Sequence, residues 1–472
     1  MQKTRTTDQT ILLTAIFVVS CVGVGIWFIQ LFHLSYHVPI IGLSPSIAIS
    51  DNPRLRYRTR PSWKVQWRHL LDKLPEVTSE KSTMSKGRIN KRDTNKFRKK
   101  FSDRRNDWIN FSDIILNENT NKSNTMQIDC THRKLATFSE DILCKKRKTF
   151  LKQFKNPCWY EESERKLSCL PYFHLFGVCK SGTTDLFHRI TQHPHILKNK
   201  GIMGKETWFW SWRRYGNGNM PGGTMYLSQF AKLFDSDAIS RNKTTRPDGS
   251  SYHHLITGHG EPMDLWDQSF WKLIPQNDPE GIEPNVTTPY LIKYVNPSIK
   301  LILILRNPVE RLYSHYLHGN YGNSTDNFHR DVLQTIKVLR ACQENRTLRS
   351  CLYDKDNKND FKVPISASLY HVHLHEWLKV FPRKQLLIFR TEDYSVNISD
   401  TLKTVFSFLN VAPLSPSELV RVADIPQQYH TVMRDTTGPM RSDTRTILTD
   451  FLRGSIYKVA SILQDRRYLK WL

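Results

Sequence analysis

The chain is short of acid. Across 472 residues, 44 Asp and Glu stand against 69 Lys and Arg, a net charge of +25. The imbalance says little about fold, but it selects for a polyanionic partner: nucleic acid, acidic phospholipid, or sulfated or carboxylated polysaccharide. No close Cys-x-x-Cys pair occurs, which disfavours a structural zinc site of the finger or ribbon kind. The run GxxxxGK followed by Ser or Thr is also missing, and with it the signature of a nucleoside-triphosphatase phosphate loop. No internal repeat is visible. Between Ile11 and Leu31 formal charge is absent altogether.

That last absence is informative. Residues 11–31 form an apolar run of about 30 Å if helical, enough to cross a bilayer. Lys3 and Arg5 precede it, and no Lys or Arg follows before Arg54. By the positive-inside tendency residues 1–10 are a cytoplasmic tail and everything after Leu31 is luminal. Seven Asn-x-Ser/Thr sequons, at Asn110, Asn121, Asn242, Asn285, Asn323, Asn345 and Asn397, fit a glycosylated secretory-pathway protein. Such an orientation disfavours nucleic acid as the partner. Residues 32–125 read as a basic luminal stem, poor in groups that could offset the entropy of ordering. Of the seven cysteines beyond Leu31, Cys342 and Cys351 suit a local disulfide. Cys130, Cys144, Cys158 and Cys169 suit two more, with the pairing left open, and Cys179 is expected as a free thiol.

Dense hydrophobic patterning begins near Cys169. Tyr172 to Val178 reads as a strand running through a Gly/Ser/Thr turn into a helix. Ile299 to Leu305 is nearly all apolar, as befits a parallel strand covered on both faces. A helix is expected from Pro308, another over 368–380, a strand over 385–389, a helix over 400–409 and a last one over 446–463. Alternating strands and helices imply one α/β domain over residues 126–472 with a mostly parallel sheet. His371, His373 and His375 fall in the 368–380 helix and are expected on different faces, not as metal ligands; no metal site is expected anywhere.

Two segments carry chemistry. Gly177-Val-Cys-Lys180-Ser181-Gly182-Thr183-Thr184 links a strand to a helix, where backbone N–H groups and the positive helix end suit a phosphate. Its cation, Lys180, precedes the second glycine instead of following it. Arg306-Asn-Pro-Val-Glu-Arg-Leu-Tyr-Ser314 leaves the end of the second apolar strand, where open α/β sheets bind ligands. There Arg306 offers a charge-assisted fork and Ser314 a hydroxyl two helical turns on. Together they make a clamp for two anionic groups.

These segments, in this order, resemble the 5'-phosphosulfate and 3'-phosphate motifs of the Golgi carbohydrate sulfotransferases, and the resemblance runs over roughly residues 130–472. It implies a P-loop-like α/β fold behind one transmembrane helix, in a single-pass Golgi protein with a luminal catalytic domain. It implies 3'-phosphoadenylyl sulfate (PAPS) as donor and no metal. Lys180, Ser181, Gly182, Thr183 and Thr184 would hold the phosphosulfate, and Arg306 and Ser314 the 3'-phosphate; the family usually has Gly where Ser181 stands. Glu206, in Lys-Glu-Thr-Trp-Phe-Trp, matches the family's catalytic acid, and desolvation by its aromatic neighbours would make it a usable base. Lys180 would stabilise charge in the transition state. His259 and Glu261 are second-choice bases or acceptor contacts, with His254 behind them. Trp208, Arg213 and Arg214 are expected at the acceptor, and Arg441 and Arg445 in a loop over the nucleotide. The implied acceptor is a sulfated glycosaminoglycan, foremost O-6 of N-acetylgalactosamine 4-sulfate in chondroitin or dermatan sulfate. Another glycosaminoglycan or position, and an inactive polysaccharide-binding homologue, stand as alternatives, and a homodimer is left open.

Overall fold

The computed structural model describes residues 130, 139–162, 165–216, 223–429 and 431–472. The expected tail, membrane span and stem lie outside these residues. Among the described residues no helix is long and apolar enough to cross a membrane.

The frame is a five-stranded, wholly parallel sheet. Its strands are β1 (Phe173–Gly177), β2 (Ile196–Leu197), β3 (Ile256–Gly260), β4 (Lys300–Leu305) and β5 (Leu386–Arg390), in the spatial order β2-β3-β1-β4-β5. Every pairing is parallel, so the chain returns over the sheet between strands and both faces are covered. Strand β4 shows how. Leu301, Leu303 and Leu305 belong to one buried cluster, and Ile302 and Ile304 to another on the opposite face. That is the period of two a strand imposes, with both sets apolar because neither face meets water.

One face packs on α1 (Thr183–Ile190) through Leu186, Phe187 and Ile190. It also packs on α7 (Ile398–Phe408), through Leu402, Val405 and Phe406, and on Leu419 of α8 (Pro416–Ala423). The other face packs on α2 (Thr288–Val295), α3 (Pro308–His318), α4 (Thr325–Gln343), α5 (Tyr370–Val380) and α10 (Ser442–Leu463). The short α6 (Thr391–Val396) follows β5 directly, and α9 (Met433–Thr437) precedes α10. Pro308 occupies the first turn of α3, and the Asn307 side chain caps it by accepting from Val309 N and Glu310 N.

The expected elements stand with small shifts at their ends, and the last helix begins four residues early, at Ser442. Strands β2 and β3 and helices α2, α4, α6, α8 and α9 are not among the elements the sequence predicts. β3 reads Ile-Thr-Gly-His-Gly, with two glycines and two polar residues in five, yet it is buried throughout. The disulfides are Cys130–Cys144, Cys158–Cys169 and Cys342–Cys351. Cys179 is disulfide-bonded and not the free thiol expected. The three histidines of α5 also need correcting. His371 and His375, four apart and so on one helical face, line a common groove with Lys458, while His373 is fully buried elsewhere. Burial drives His371 down to about 4 and His373 to about 3, so both are neutral near pH 7.

Candidate active site

The site lies at the carboxyl ends of β1, β3 and β4. The chain leaves β1 and turns through Lys180 at φ 67° and Gly182 at φ 88° before entering α1. A Cβ on Gly182 would meet nothing within 4 Å, so its left-handed backbone, and not lack of space, is what glycine serves. Ser181 N bonds Val178 O at 3.2 Å, and Thr183 and Thr184 open the helix with their amides at its positive end.

Four cations gather here. Lys180 is pushed down to about 8, first by burial and then by the charges of Arg306 and Lys205. Arg306 is lowered too, by burial and then by Arg434. Like charges this close, in poor solvent, form a site that an anion would stabilise. Arg306 Nη1 donates to Lys180 O at 3.1 Å. The Thr391 hydroxyl sits within 2.7 Å of Ser181 O and 3.1 Å of Leu305 O. The two anion-binding segments are thereby laced together, in part by a residue that the sequence reading did not name.

Beside the loop lies a buried acid–base cluster. Lys205 Nζ is 2.6 Å from Glu206 Oε1 and 3.5 Å from Thr184 Oγ1, and both members of the pair are at most 1% exposed. Glu261 Oε2 accepts from Trp208 N at 2.9 Å. Burial, then the charges of Glu206 and Asp264, raises Glu261 well above the usual carboxylate range. Ser181 Oγ, Glu206 Oε2 and Glu261 Oε1 are buried without a hydrogen-bond partner. Such groups are costly unless a ligand satisfies them. Asn199 Nδ2 donates to Lys205 O and Gly258 O at 2.8 and 2.9 Å, fixing the Lys205 turn on β3. No signal in the sequence singles out Asn199.

Ser314 is buried on α3, its Oγ 3.5 Å from Thr431 Oγ1. The segment beyond closes over it: Tyr313 OH donates to Gly438 O at 2.9 Å, and Arg434 reaches Glu310 at 2.8 Å. Arg434 is close enough to Arg306 to lower it, and the two arginines expected from the sequence are, like Arg434, engaged by carboxylates. Arg441 is exposed and pairs with Asp326 and Asp443, and Arg445 pairs with Glu310.

The expected acceptor contacts are mostly interior. Trp208 is 1% exposed, and its left-handed backbone (φ 53°) lets its amide reach Glu261. Arg214 is buried, bonded to Tyr215 OH at 2.6 Å and stacked on that ring. His259 is enclosed, its Nε2 2.9 Å from Thr207 Oγ1. Arg213 is half-buried and donates to Gly223 O at 3.0 Å. A WFWSWRR segment of turns built into the core gives the physical reason: the same residues that stack on sugars also fill interiors.

A parallel α/β sheet thus carries at its carboxyl edge a glycine-containing loop that opens a helix and, beside it, a second cationic segment, an arrangement suited to a ligand with two anionic groups. The chain belongs to the sulfotransferase family: the family described as "Sulfotransferase domain" matches residues 173–429. The human carbohydrate sulfotransferase 15 is 31% identical over 370 residues, 68% of this chain and 65% of its own length, so the chain spans a little less than two thirds of that relative. The bifunctional heparan sulfate N-deacetylase/N-sulfotransferase of Drosophila melanogaster is 24% identical over 52% of this chain and 20% of its own. A solved sulfotransferase structure from Alicyclobacillus acidocaldarius aligns over 63% of this chain and 96% of its own, at 20% identity and a TM-score of 0.36.

Proposed function

We propose that this chain transfers a sulfuryl group from PAPS to a hydroxyl of a sulfated glycosaminoglycan, and that the acceptor is O-6 of N-acetylgalactosamine 4-sulfate in chondroitin or dermatan sulfate. The observation that carries the reading is the pairing of Lys180 with Arg306, two cations on separate motifs joined through Lys180 O. Lys180, Ser181, Gly182, Thr183 and Thr184 face the 5'-phosphosulfate in this reading. Arg306 and Ser314 face the 3'-phosphate, with Arg434 behind them.

The reaction is an in-line displacement. The acceptor oxygen forms a bond to sulfur while the bond from sulfur to the bridging phosphate oxygen breaks. Adenosine 3',5'-bisphosphate carries away that electron pair. The hydroxyl proton passes to Glu206, whose free Oε2 is the available acceptor. Lys180 and the loop amides stabilise charge on the bridging and sulfuryl oxygens. Lys205 positions Glu206.

The apolar run, the charge before it and the sequons support a single-pass Golgi protein facing the lumen; a mobility shift of the full chain on glycosidase treatment tests that orientation. For the activity, the full chain made through a secretory pathway is incubated with sulfur-labelled PAPS and a panel of polysaccharides. The panel comprises unsulfated, 4-sulfated and 6-sulfated chondroitin, dermatan sulfate and desulfated heparan. Label recovered as 4,6-disulfated N-acetylgalactosamine supports the proposal in full. Label in another sugar keeps the chemistry and discards the acceptor. Folded protein that binds the donor and labels none of the panel overturns the transferase reading for these acceptors.

A further inference from the structure

Behind the reaction site lies a second polar cluster that the chemistry above does not use. His174 of β1 and His259 of β3 are register partners on adjacent strands, their rings 4.4 Å apart. Asp264, just beyond β3, brings Oδ2 to 3.2 Å from His174 Nε2. Each of the three residues is fully buried. One ligand atom from each lies within 4.8 Å of the other two.

Two ring nitrogens here, His174 Nδ1 and His259 Nδ1, make no hydrogen bond, and His174 Nε2 and Asp264 Oδ2 have only each other, at 3.2 Å. Native interiors rarely leave such atoms unsatisfied. The outward atoms are, by contrast, well held. His259 Nε2 bonds Thr207 Oγ1 at 2.9 Å, and Asp264 Oδ1 accepts from Ser211 Oγ at 2.5 Å. Metal-binding histidines and carboxylates are oriented in this way, by partners on the atom that faces away from the ion.

We propose that His174, His259 and Asp264 bind a divalent transition-metal ion, zinc by the chemistry of two imidazoles and one carboxylate, as a structural tie between β1 and β3 beneath the reaction site. Tetrahedral zinc sets its ligand atoms roughly 3.3 Å apart, and the three ligand atoms here lie within 4.8 Å of one another, so binding draws them together. The absence of paired Cys-x-x-Cys excluded only the thiolate kind of zinc site. This kind has no local spacing, because its ligands come from residues 85 positions apart that meet only when β1 and β3 pair.

The test uses the full chain, secreted and purified without a metal-affinity step or added chelator, with metal content measured by mass spectrometry. About one zinc per chain is expected for the native protein, and well under one for His174→Gln and His259→Gln. Should either variant fail to fold, the native protein still decides the matter. A strong chelator should lower its thermal midpoint, zinc but not magnesium should restore it, and cobalt should bind with the visible absorption of a low-coordinate site. Native protein without bound metal, whose midpoint neither chelator nor zinc moves, overturns the proposal and leaves the cluster to buried water or shared protons. Binding of adenosine 3',5'-bisphosphate, followed in parallel, reports the donor site independently of this result.

Discussion

The buried pair Lys205–Glu206 gives the sharpest prediction. At 2.6 Å and at most 1% exposure, its direct attraction is about 6 kcal/mol at an effective dielectric of about 20. Most of this is consumed by removing both charges from water, so the pair adds little net stability. Breaking it is another matter. Lys205→Met leaves Glu206 charged and enclosed, at a cost of about 3–5 kcal/mol. Glu206→Gln strands the ammonium in the same way. The double variant Lys205→Met/Glu206→Gln buries no charge and should be closer to the native protein than either single change, with a coupling energy of at least about 2 kcal/mol. Denaturant unfolding of all four proteins measures it. Turnover separates two roles: the double variant should fold and bind adenosine 3',5'-bisphosphate, yet transfer at least ~100-fold more slowly if Glu206 accepts the proton. Single variants that each lose less than about 1 kcal/mol, and sum to the double, would refute the buried-pair argument. A double variant with native turnover would refute the role of Glu206.

Other outcomes follow from the same geometry. Lys180 is charged below about 8, so affinity for adenosine 3',5'-bisphosphate should fall as pH rises beyond that value, by about 10- to 150-fold for one charge-assisted bond; calorimetric titration across the range checks it, with Lys180→Arg showing no such fall. His371 and His373 have folded values of about 4 and 3, below the ordinary 6.5, so the unfolded chain binds more protons between these values. Stability should therefore decline as pH drops from about 6.5 toward 4, at up to about 1.4 kcal/mol per unit for each group, and His373→Gln should soften the slope in acid unfolding curves. Gly258→Ala would set a Cβ 2.1 Å from Phe173 Cζ in the sheet core; a loss of about 1–3 kcal/mol is expected in the denaturation midpoint, with the donor site unchanged in kind.

The sequence made the sheet legible where hydrophobic strands were continuous, and it made the neighbouring cationic segments of the candidate site legible where motif residues were close in the chain. Leu301 to Leu305 could hardly be anything but a covered strand, and Pro308 marked the next helix. β3 was not legible because its glycines and His259 obey a tertiary demand: a Cβ at Gly258 or Gly260 would strike Phe173 or Lys205. Thr391 and Asn199 escaped notice for a related reason, since each works by reaching backbone carbonyls supplied by distant strands. Arg441 and Arg445 drew attention as cations near a helix start, but sequence does not reveal that Asp326, Asp443 and Glu310 already hold them.

The Thr391 hydroxyl, set between Ser181 O and Leu305 O, makes the two anion-binding segments a gauge of fixed length. Their separation is set during folding by a third strand's exit, so little order need be imposed when a ligand arrives. On the proposed reading, a molecule with one anionic group engages either jaw but never spans both. Discrimination between a doubly and a singly phosphorylated nucleotide then rests on distance, which a mutation at Thr391 would blur without removing a single charge.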